Sequence, residues 1–377
     1  MRRFFSTLVV IVVLFMTKPM WEGKMEQLLH SKQLEPITSR LDAIKNDPAT
    51  AEALENAKVQ WKQLALEIKD LMNADIQNQD TAKAEKPDLA KPENQTFSVY
   101  NIELGDTKQK VEQAIGAPKR STENEYGTHW NAYHQNYQNF MMVSYDSGGK
   151  VNALYTDQDL LSSKTGIKIG SPRDMVREKL GEPMSEMRKG LVFYKIESNG
   201  EYDVYHMDNS YVTIFYDKHE QNTVTAIQII DQKLEQDKNQ YYTTPSSSLE
   251  KGFEYQLFDL TNAARVEHGL PYLTWDEHVQ KTALKHSEDM AENQYFDHTN
   301  PKGQSPFDRM HEDDIYFLAA GENLAYGQNS SIFAHEGLMN SLGHRKNILQ
   351  KDFEYLGVGV AFGDQSQPYY TENFYSK

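Results

Sequence analysis

The longest apolar run in the chain lies at its N-terminus. Residues 8–16 contain no polar side chain, and Arg2 and Arg3 come just before them. A basic start followed by a short apolar core is the pattern of an export signal. Residues 17–21 lack the small side chains of a cleavage site, which favours a retained segment. We therefore predict that residues 1–23 form a signal anchor, an N-terminal membrane anchor helix, rather than a cleaved signal peptide, with the rest of the chain outside the cell.

Residues 24–75 carry a helical pattern. Asp47 and Pro48 suit the N-cap and the first position of a helix. Apolar side chains then recur at spacings of three and four, at Leu54, Ala57, Trp61, Leu64, Ile68 and Leu71. This seam, about three heptads long, predicts a helical stalk that either packs on its own chain or pairs with a second copy. Residues 76–96 are polar and predict a solvated linker.

An internal repeat occupies residues 97–234. Gly105 and Gly170 stand 65 residues apart, as do Pro118 and Pro183. In each unit, a segment of helical length between two glycines precedes several runs with the alternation of strands. The runs are residues 128–133, 140–145 and 151–155 in the first unit, and 191–196, 202–206, 211–216 and 225–230 in the second. We therefore predict a tandem domain in which each unit is a helix followed by an antiparallel sheet.

Aromatic residues are frequent in this tandem domain. They include Tyr126, Trp130, Tyr133, Tyr137 and Tyr145. Aromatic side chains at alternating positions are typical of a core or of a strand surface. Exposed ones would instead suit a groove for a peptide or a glycan. The sequence leaves both interpretations open.

A second linker and a second domain follow the repeat. Residues 235–248 end in TTPSSS and predict the linker. Residues 249–377 then begin with a helical stripe made of Phe253, Leu257, Leu260 and Ala264. Residues 274–277 predict a capping box that opens another helix, and Ser305 and Ser331 precede two more.

The end of the chain predicts a hairpin. From Leu356 to Phe362, bulky residues alternate with glycine or alanine, so one face of this strand is nearly bare. A bare face indicates that another element packs very close to the strand. Residues 368–375 predict its antiparallel partner.

Composition excludes several functions. The 377 residues contain 39 Lys and Arg against 55 Asp and Glu, and the net charge is −16. Phosphate binding needs clustered basic residues, so we expect no nucleic-acid partner. The chain has no cysteine, which excludes disulfides and thiol catalysis.

Candidate chemistry is concentrated between residues 296 and 347. The segments FDHTNP, GENLA and SLGHRKN contain His298, Glu322 and His344. Each of these residues has glycine, proline or asparagine nearby, which are typical of turns. We therefore predict three loops that bring two imidazoles and a carboxylate to one face of the domain.

The ordered motifs FDHTNPKGQSPFDRM, GENLAYG, SLGHRKNIL and YLGVGVAF in residues 249–377 resemble the CAP superfamily of cysteine-rich secretory, antigen 5 and pathogenesis-related proteins. The resemblance implies an α-β-α sandwich. The repeat before it resembles the CAP-associated domain of spore-forming Gram-positive bacteria. The predicted fold class is therefore α+β, with a C-terminal α-β-α sandwich preceded by a tandem helix-plus-antiparallel-sheet domain and the membrane anchor helix.

The resemblance also implies a cleft with two histidines and two acidic residues, in which some members hold a divalent metal. The matching metal candidates are His298 and His344, and Glu322 matches the first acid. The second acid aligns with about Ser341, and Glu336 lies too far along the helix to replace it. The predicted binding cleft therefore comprises His298, Glu322, Asn323, Ser341 and His344.

Two functions follow from this cleft. Two imidazoles suit a zinc ion with water completing its shell, whereas in a purely structural role Glu322 would bond backbone amides and the histidines while Asn323 pins a loop. The chain has no nucleophile elbow and no zincin helix. We expect an exported, non-catalytic binding module for a lipid, a metal ion, a cell-wall component or a protein, membrane-tethered or secreted. The alternative is a metal-dependent hydrolase with Glu322 as its catalytic candidate.

Overall fold

The structure, a computed structural model, describes residues 84–377. The predicted anchor, the stalk and residues 76–83 of the first linker lie outside these residues. The described residues belong to one compact unit. Within them, no helix has both the length and the apolar character needed to cross a membrane.

The tandem domain is built on a single seven-stranded antiparallel sheet. The first unit contains β1 (Phe97–Val99), α1 (Lys108–Ile115), β2 (Arg120–Glu123), β3 (His129–Gln135), β4 (Gln138–Tyr145), β5 (Val151–Thr156) and β6 (Leu161–Ser163). The second contains α2 (Arg173–Leu180), β7 (Glu186–Lys189), β8 (Val192–Lys195), β9 (Tyr202–Met207), β10 (Ser210–Asp217), β11 (Thr223–Asp231) and α3 (Gln232–Asp237). Each predicted run forms a strand.

The two units do not keep separate sheets. Strand order is β2-β3-β4-β5-β11-β10-β9, so β5 of the first unit pairs with β11 of the second unit. This pairing satisfies backbone groups that two separate sheets would leave at open edges. The run at 191–196 is the exception to the shared sheet, because it forms β8 of a separate β7–β8 hairpin.

The repeat positions its helices as predicted. Val111 of α1 and Val176 of α2 are fully buried on the same face of the sheet. Both helices stop at a glycine with positive φ, 82° at Gly116 and 84° at Gly181. A residue with a Cβ adopts that conformation poorly, which explains why glycine ends each helix.

The second domain has helices on both faces of a four-stranded sheet. Its elements are α4 (Ser247–Glu267), β12 (Thr274–Trp275), α5 (Glu277–Asn293), α6 (Pro306–Glu312), β13 (Ala319–Tyr326), α7 (Ser331–Asn340), α8 (Leu342–Ile348), β14 (Tyr355–Phe362) and β15 (Pro368–Ser376). The strand order is β12-β14-β15-β13, which leaves β13 at one edge. The predicted α-β-α sandwich is therefore confirmed.

The bare face of β14 lies against α5. A Cβ at Gly357 would stand 2.2 Å from the Gln280 nitrogen, and one at Gly359 would stand 2.1 Å from the Leu284 nitrogen. The opposite face of β14, with Val358 and Val360, packs in the core that contains α4. The prediction of a close neighbour is thus confirmed.

Two local predictions are wrong. The capping residue of α5 is Asp276 and not Thr274, because residues 274 and 275 pair with β14 as a short parallel strand. The GENLA segment is the interior of β13 and the SLGHRKN segment is mostly helix α8; of the three predicted loops, the FDHTNP segment alone is irregular. Pairing of β13 with β15 along its whole length overrides the turn preference of Gly321 and Asn323.

The two domains share one hydrophobic core. Trp130 and Phe140 of the seven-stranded sheet belong to the same buried cluster as Phe253 and Leu257 of α4. The contact is so close that a Cβ at Gly252 would stand 2.1 Å from the Glu123 carbonyl oxygen.

Most of the aromatic residues singled out in the first unit are buried, which confirms the core interpretation for them. Trp130 and Tyr137 lie in the core that the two domains share, and Tyr133 lies in a second core within the tandem domain. Tyr126 is partly exposed. Tyr145 packs against the core from its margin.

Candidate functional site

A histidine and a buried carboxylate form the centre of the predicted cleft. Glu322 lies in the middle of β13, and 1% of its side chain is exposed. His298 lies in the bend after α5, and 51% of its side chain is exposed. His298 Nδ1 is 2.8 Å from Glu322 Oε1, so the carboxylate fixes the ring and leaves Nε2 as the free nitrogen.

Arg309 completes this pair and was not predicted. Its Nη2 donates to Glu322 Oε2 at 2.6 Å, and its Nη1 donates to the His298 carbonyl oxygen at 2.8 Å. The guanidinium is buried, because α6 lays it against β13. Both oxygens of Glu322 are therefore bound by cationic or imidazole donors.

The two histidines have opposite protonation tendencies. The hydrogen bond to Glu322 raises the pKa of His298 above 6.5, although partial burial opposes the rise. Burial, and then the neighbouring His298, lower the pKa of His344 below 6.5. The cleft therefore combines one imidazole whose protonated form is favoured by its surroundings with one whose neutral form is favoured.

Asparagine side chains hold α8, which carries His344, against β13. Asn323 Nδ2 donates to the His344 carbonyl oxygen at 3.2 Å. Asn347 Nδ2 donates to Asn323 Oδ1 at 2.9 Å and to the Glu322 carbonyl oxygen at 3.1 Å. Asn323 thus fixes a helix, where the sequence suggested a loop.

A second buried carboxylate lies behind Asn323. Glu372 Oε2 accepts from Asn323 at 3.0 Å, and its Oε1 accepts from the Thr261 hydroxyl at 2.7 Å. Burial raises the pKa of Glu372 to about 7. The sequence carried a signal that was missed, because Glu372 stands in the apolar phase of β15 between the buried Tyr370 and Phe374.

Ser341 and Glu336 contribute differently from the histidines. Ser341 is the junction between α7 and α8, and its carbonyl oxygen accepts from the Arg345 nitrogen at 2.8 Å. Glu336 points toward the other domain, where its Oε1 accepts from the Tyr155 hydroxyl at 2.7 Å. Within residues 84–377, the hydrogen bond of the Glu336 side chain is made to the tandem domain and not to the cleft.

The donor set limits what metal the cleft could hold. Within residues 84–377, no three or more His, Asp or Glu side chains are grouped to hold an ion. Because Glu322 is occupied by Arg309 and His298, a three-ligand site does not fit. His298 lies near enough to His344 to lower the pKa of that imidazole, and the two histidines remain the candidates for a site with solvent as the remaining ligands.

Together these features define a class of protein. It has an α-β-α sandwich whose edge strand and flanking helices carry a His-Glu-His cleft, joined through a common core to an antiparallel α+β domain. Comparison with known proteins gives the family within that class.

Two family models match the chain. The model described as CAP-associated N-terminal matches residues 104–241, and the model of the cysteine-rich secretory protein family matches residues 258–374. The chain is also 31% identical over 291 residues to "Uncharacterized membrane protein YlbC" of Bacillus subtilis (strain 168), covering 72% of this chain and 82% of that protein. The chain therefore belongs to the cysteine-rich secretory protein family, CAP, in the form that carries the CAP-associated domain.

Solved structures share the fold over both domains. One is an extracellular protein containing an SCP domain from Bacillus anthracis str. Ames, with a TM-score of 0.63 and 26% identity, covering 78% of this chain and 99% of that chain. Another is a cysteine-rich secretory protein from Staphylococcus aureus subsp. aureus Mu50, with a TM-score of 0.60 and 13% identity, covering 77% of this chain and 100% of that chain. The second likeness concerns the fold alone.

Proposed function

We propose that this chain is an exported CAP protein that binds a ligand at the cleft of His298 and His344 and catalyses no reaction there. The observation that carries the proposal is the state of Glu322. To act as a general base, Glu322 would need an oxygen free to accept a proton, and both of its oxygens already accept from Arg309 and His298. The carboxylate acts instead as the group that orients His298.

The neighbouring hydroxyl groups favour the same interpretation. Ser305 is the N-cap of α6, and its hydroxyl donates to Asp308 Oδ2 at 2.7 Å. Ser341 lies at the junction of two helices, where it is the C-cap of α7 and the N-cap of α8. A hydrolase would require one of these groups, or an ion-bound water, to meet a base. The alternative function, a metal-dependent hydrolase, therefore has little support from the contacts of the cleft.

The cellular setting of the proposal rests on relatives. A relative is named a membrane protein and a structural neighbour is called an extracellular protein. Together with the basic and apolar start of the chain, these names support a protein tethered through residues 1–23 at the outer face of the membrane. Partners there would be a lipid, a cell-wall component or another protein.

For the cleft itself, we propose a divalent ion such as zinc, held by His298 Nε2 and His344 with water completing the shell. Because only two of its ligands would come from the protein, we expect the zinc ion to bind with modest affinity. A metal competes with the proton of His298, whose pKa is raised by Glu322. Affinity is therefore expected to rise as pH rises through that pKa.

Isothermal titration calorimetry with zinc chloride tests the metal proposal. We expect one ion per chain for the wild type, and a loss of affinity of about tenfold or more in His298→Ala and in His344→Ala. His278→Ala removes an exposed histidine at the start of α5 and is the matched control. Equal affinity in all four proteins, or zinc affinity that falls as pH rises, would contradict the proposal.

A further inference from the structure

A cavity of about 410 Å³ lies between the two domains, apart from the His298 cleft. It opens on one face of β9, β10 and β11, beside the part of the sheet that α4 covers. The β7–β8 hairpin and α3 form its other walls on the tandem domain, and residues 326–337 close it from the CAP domain. Because the two domains share one core, this cavity is a fixed feature of the fold.

Tyrosines dominate the lining. They are Tyr126, Tyr194, Tyr202, Tyr211, Tyr241 and Tyr326. Tyr241 and Tyr326 are 49% and 43% exposed. Tyr194 and Tyr241 stack with their ring centroids 6.4 Å apart. Exposed, pre-stacked tyrosines offer flat apolar faces with a polar tip and little rotamer entropy to lose, which suits the C–H faces and hydroxyl groups of sugar rings.

Two amide side chains in the lining each have one buried atom without a hydrogen-bond partner among the described residues. Gln228 is 2% exposed, and its Nε2 donor has no hydrogen-bond partner among the described residues. The same is true of the Oε1 acceptor of Gln328. An unpaired buried donor or acceptor costs about 1–3 kcal/mol, so a ligand that pairs with it gains affinity. An acetamido group carries the complementary set, a carbonyl oxygen for Gln228 and an N–H for Gln328.

The charged residues of the lining are mostly compensated within the protein. Lys189 pairs with Glu235, which also accepts from the Tyr126 hydroxyl. Lys195 pairs with Glu197 at 2.9 Å, and Glu201 pairs with Lys218 at 2.6 Å.

The remaining lining lysine is also accommodated by its surroundings. Lys238 Nζ lies 5.4 Å from the centroid of the Tyr126 ring. The lining therefore presents no uncompensated charge that would select an ionic ligand.

From these contacts we propose that the interdomain cavity binds a neutral oligosaccharide that carries acetamido groups. The sugar rings stack on Tyr241 and its neighbours, and an acetamido group pairs with Gln228 and Gln328. This site is separate from the His298 cleft, so its occupancy does not depend on the function proposed there.

Calorimetric titration of the full chain with tetra-N-acetylchitotetraose tests the proposal, with cellotetraose as the same β-linked backbone without acetamido groups. We expect the acetylated sugar to bind at least about tenfold more tightly than cellotetraose. Tyr241→Ala should weaken binding of the acetylated sugar by about tenfold, and Tyr241→Phe should keep most of it. Gln228→Leu should remove the preference for the acetylated sugar, and an apolar side chain at that buried position is compatible with folding.

Control variants separate this site from other surfaces. Tyr316→Ala removes an exposed tyrosine outside the cavity and should leave the affinity unchanged. His298→Ala/His344→Ala should also bind the sugar normally, so a failure of the zinc proposal is distinguishable from a failure here. Absence of binding at about 10 mM sugar, binding insensitive to Tyr241→Ala, or binding of tetra-alanine in place of the sugar would overturn the proposal.

Discussion

At the scale of single residues, the cleft is organised by charge compensation around one buried carboxylate. Glu322 has almost no exposed surface, so its charge requires a partner at short distance. Arg309 supplies the charge, and His298 supplies a second donor. The position of His298 therefore depends on a residue from a different element, α6.

The first prediction concerns Arg309. Arg309→Ala leaves the Glu322 carboxylate buried beside a half-exposed imidazole and without its guanidinium, so we expect the free energy of unfolding to fall by about 3–5 kcal/mol. Arg309→Lys keeps the charge but has a single nitrogen in place of the two that bond Glu322 and the His298 carbonyl oxygen. We expect it to lower the free energy of unfolding by less than Arg309→Ala does. Urea denaturation measures both. The control is Arg188→Ala, which removes an exposed arginine of the β7–β8 hairpin. If Arg309→Ala unfolds at the same urea concentration as that control, Arg309 does not hold Glu322.

The sequence identified part of this cleft. His298, Glu322 and His344 could be found because they lie in motifs that resemble a family. Arg309 could not, because an arginine in a short amphipathic helix is usually a solvated charge, and its partner is 13 residues away in a strand mistaken for a loop. The roles that the sequence assigned to the histidines in metal binding remain predictions.

At the scale of elements, the CAP domain depends on contact between backbones. Strand β14 has glycine at 357 and 359, and α5 lies directly on them. This approach brings β14 and α5 close enough that no side chain fits between them. Ser287 of α5 reinforces the contact, because its hydroxyl donates to the Gly359 carbonyl oxygen at 2.9 Å.

The second prediction follows from that contact. Gly359→Ala places a Cβ about 2 Å from the Leu284 backbone, so α5 must shift, and we expect a loss of about 3 kcal/mol or more in unfolding free energy. Gly337→Ala is the matched control in α7, where a Cβ meets nothing within 4 Å. That variant should be neutral or more stable by about 0.5–1 kcal/mol. If Gly359→Ala unfolds at the same temperature as the wild type in a thermal scan, the close packing of β14 and α5 is not needed for stability.

Elements with local signals were predicted well. Seven strands of the tandem domain and the glycine stops of α1 and α2 follow from alternation and spacing, whereas the short strands β1, β2, β6 and β7 were not predicted. Strand β13 was missed, since its identity depends on pairing with β15, about fifty residues later in the sequence, and that pairing leaves no signal in the GENLA segment itself. The capping position of α5 was also missed because of a long-range pairing: residues 274 and 275 form a short strand with β14, so the helix begins after them.

At the scale of the whole molecule, the two domains form one body whose interface contains buried carboxyl groups. Burial raises the pKa of Glu336 to about 7. Burial and the charge of Glu336 also raise the pKa of Asp157, whose two oxygens have no hydrogen-bond partner among the described residues. The interface could not be predicted from sequence, since the apolar residues that form it look like the core of either domain alone.

The third prediction is a pH dependence of stability. In the unfolded chain, Glu336 titrates near its ordinary value of 4.5, so the folded protein holds an extra proton up to about pH 7. The free energy of unfolding therefore falls as pH rises through the folded pKa. The buried histidines with lowered pKa, such as His134 and His335, act in the opposite direction but only below about pH 6.5. Between about pH 6.5 and 8, His298, whose pKa is raised, acts in the same direction as the buried carboxyl groups, so the contribution of Glu336 is obtained by comparing the wild type with a variant at that position.

In that window we expect wild-type stability to decrease with pH, and Glu336→Gln to reduce the decrease by about 1 kcal/mol. Glu312→Gln, a change at an exposed carboxylate, is the control and should leave the slope unchanged. Urea denaturation at several pH values provides the data. A stability that is constant or rises over the window would exclude a neutral Glu336 in the folded interface.

The most direct test of the proposed function compares hydrolysis by the wild type and by His298→Ala/His344→Ala. Both proteins are incubated with zinc chloride and with peptide and cell-wall substrates, and the released amines and reducing ends are measured. If the cleft binds a ligand and catalyses nothing, the two proteins release product at the same background rate. A wild-type rate about tenfold or more above that of a folded double variant would contradict this account and establish the cleft as a hydrolytic site.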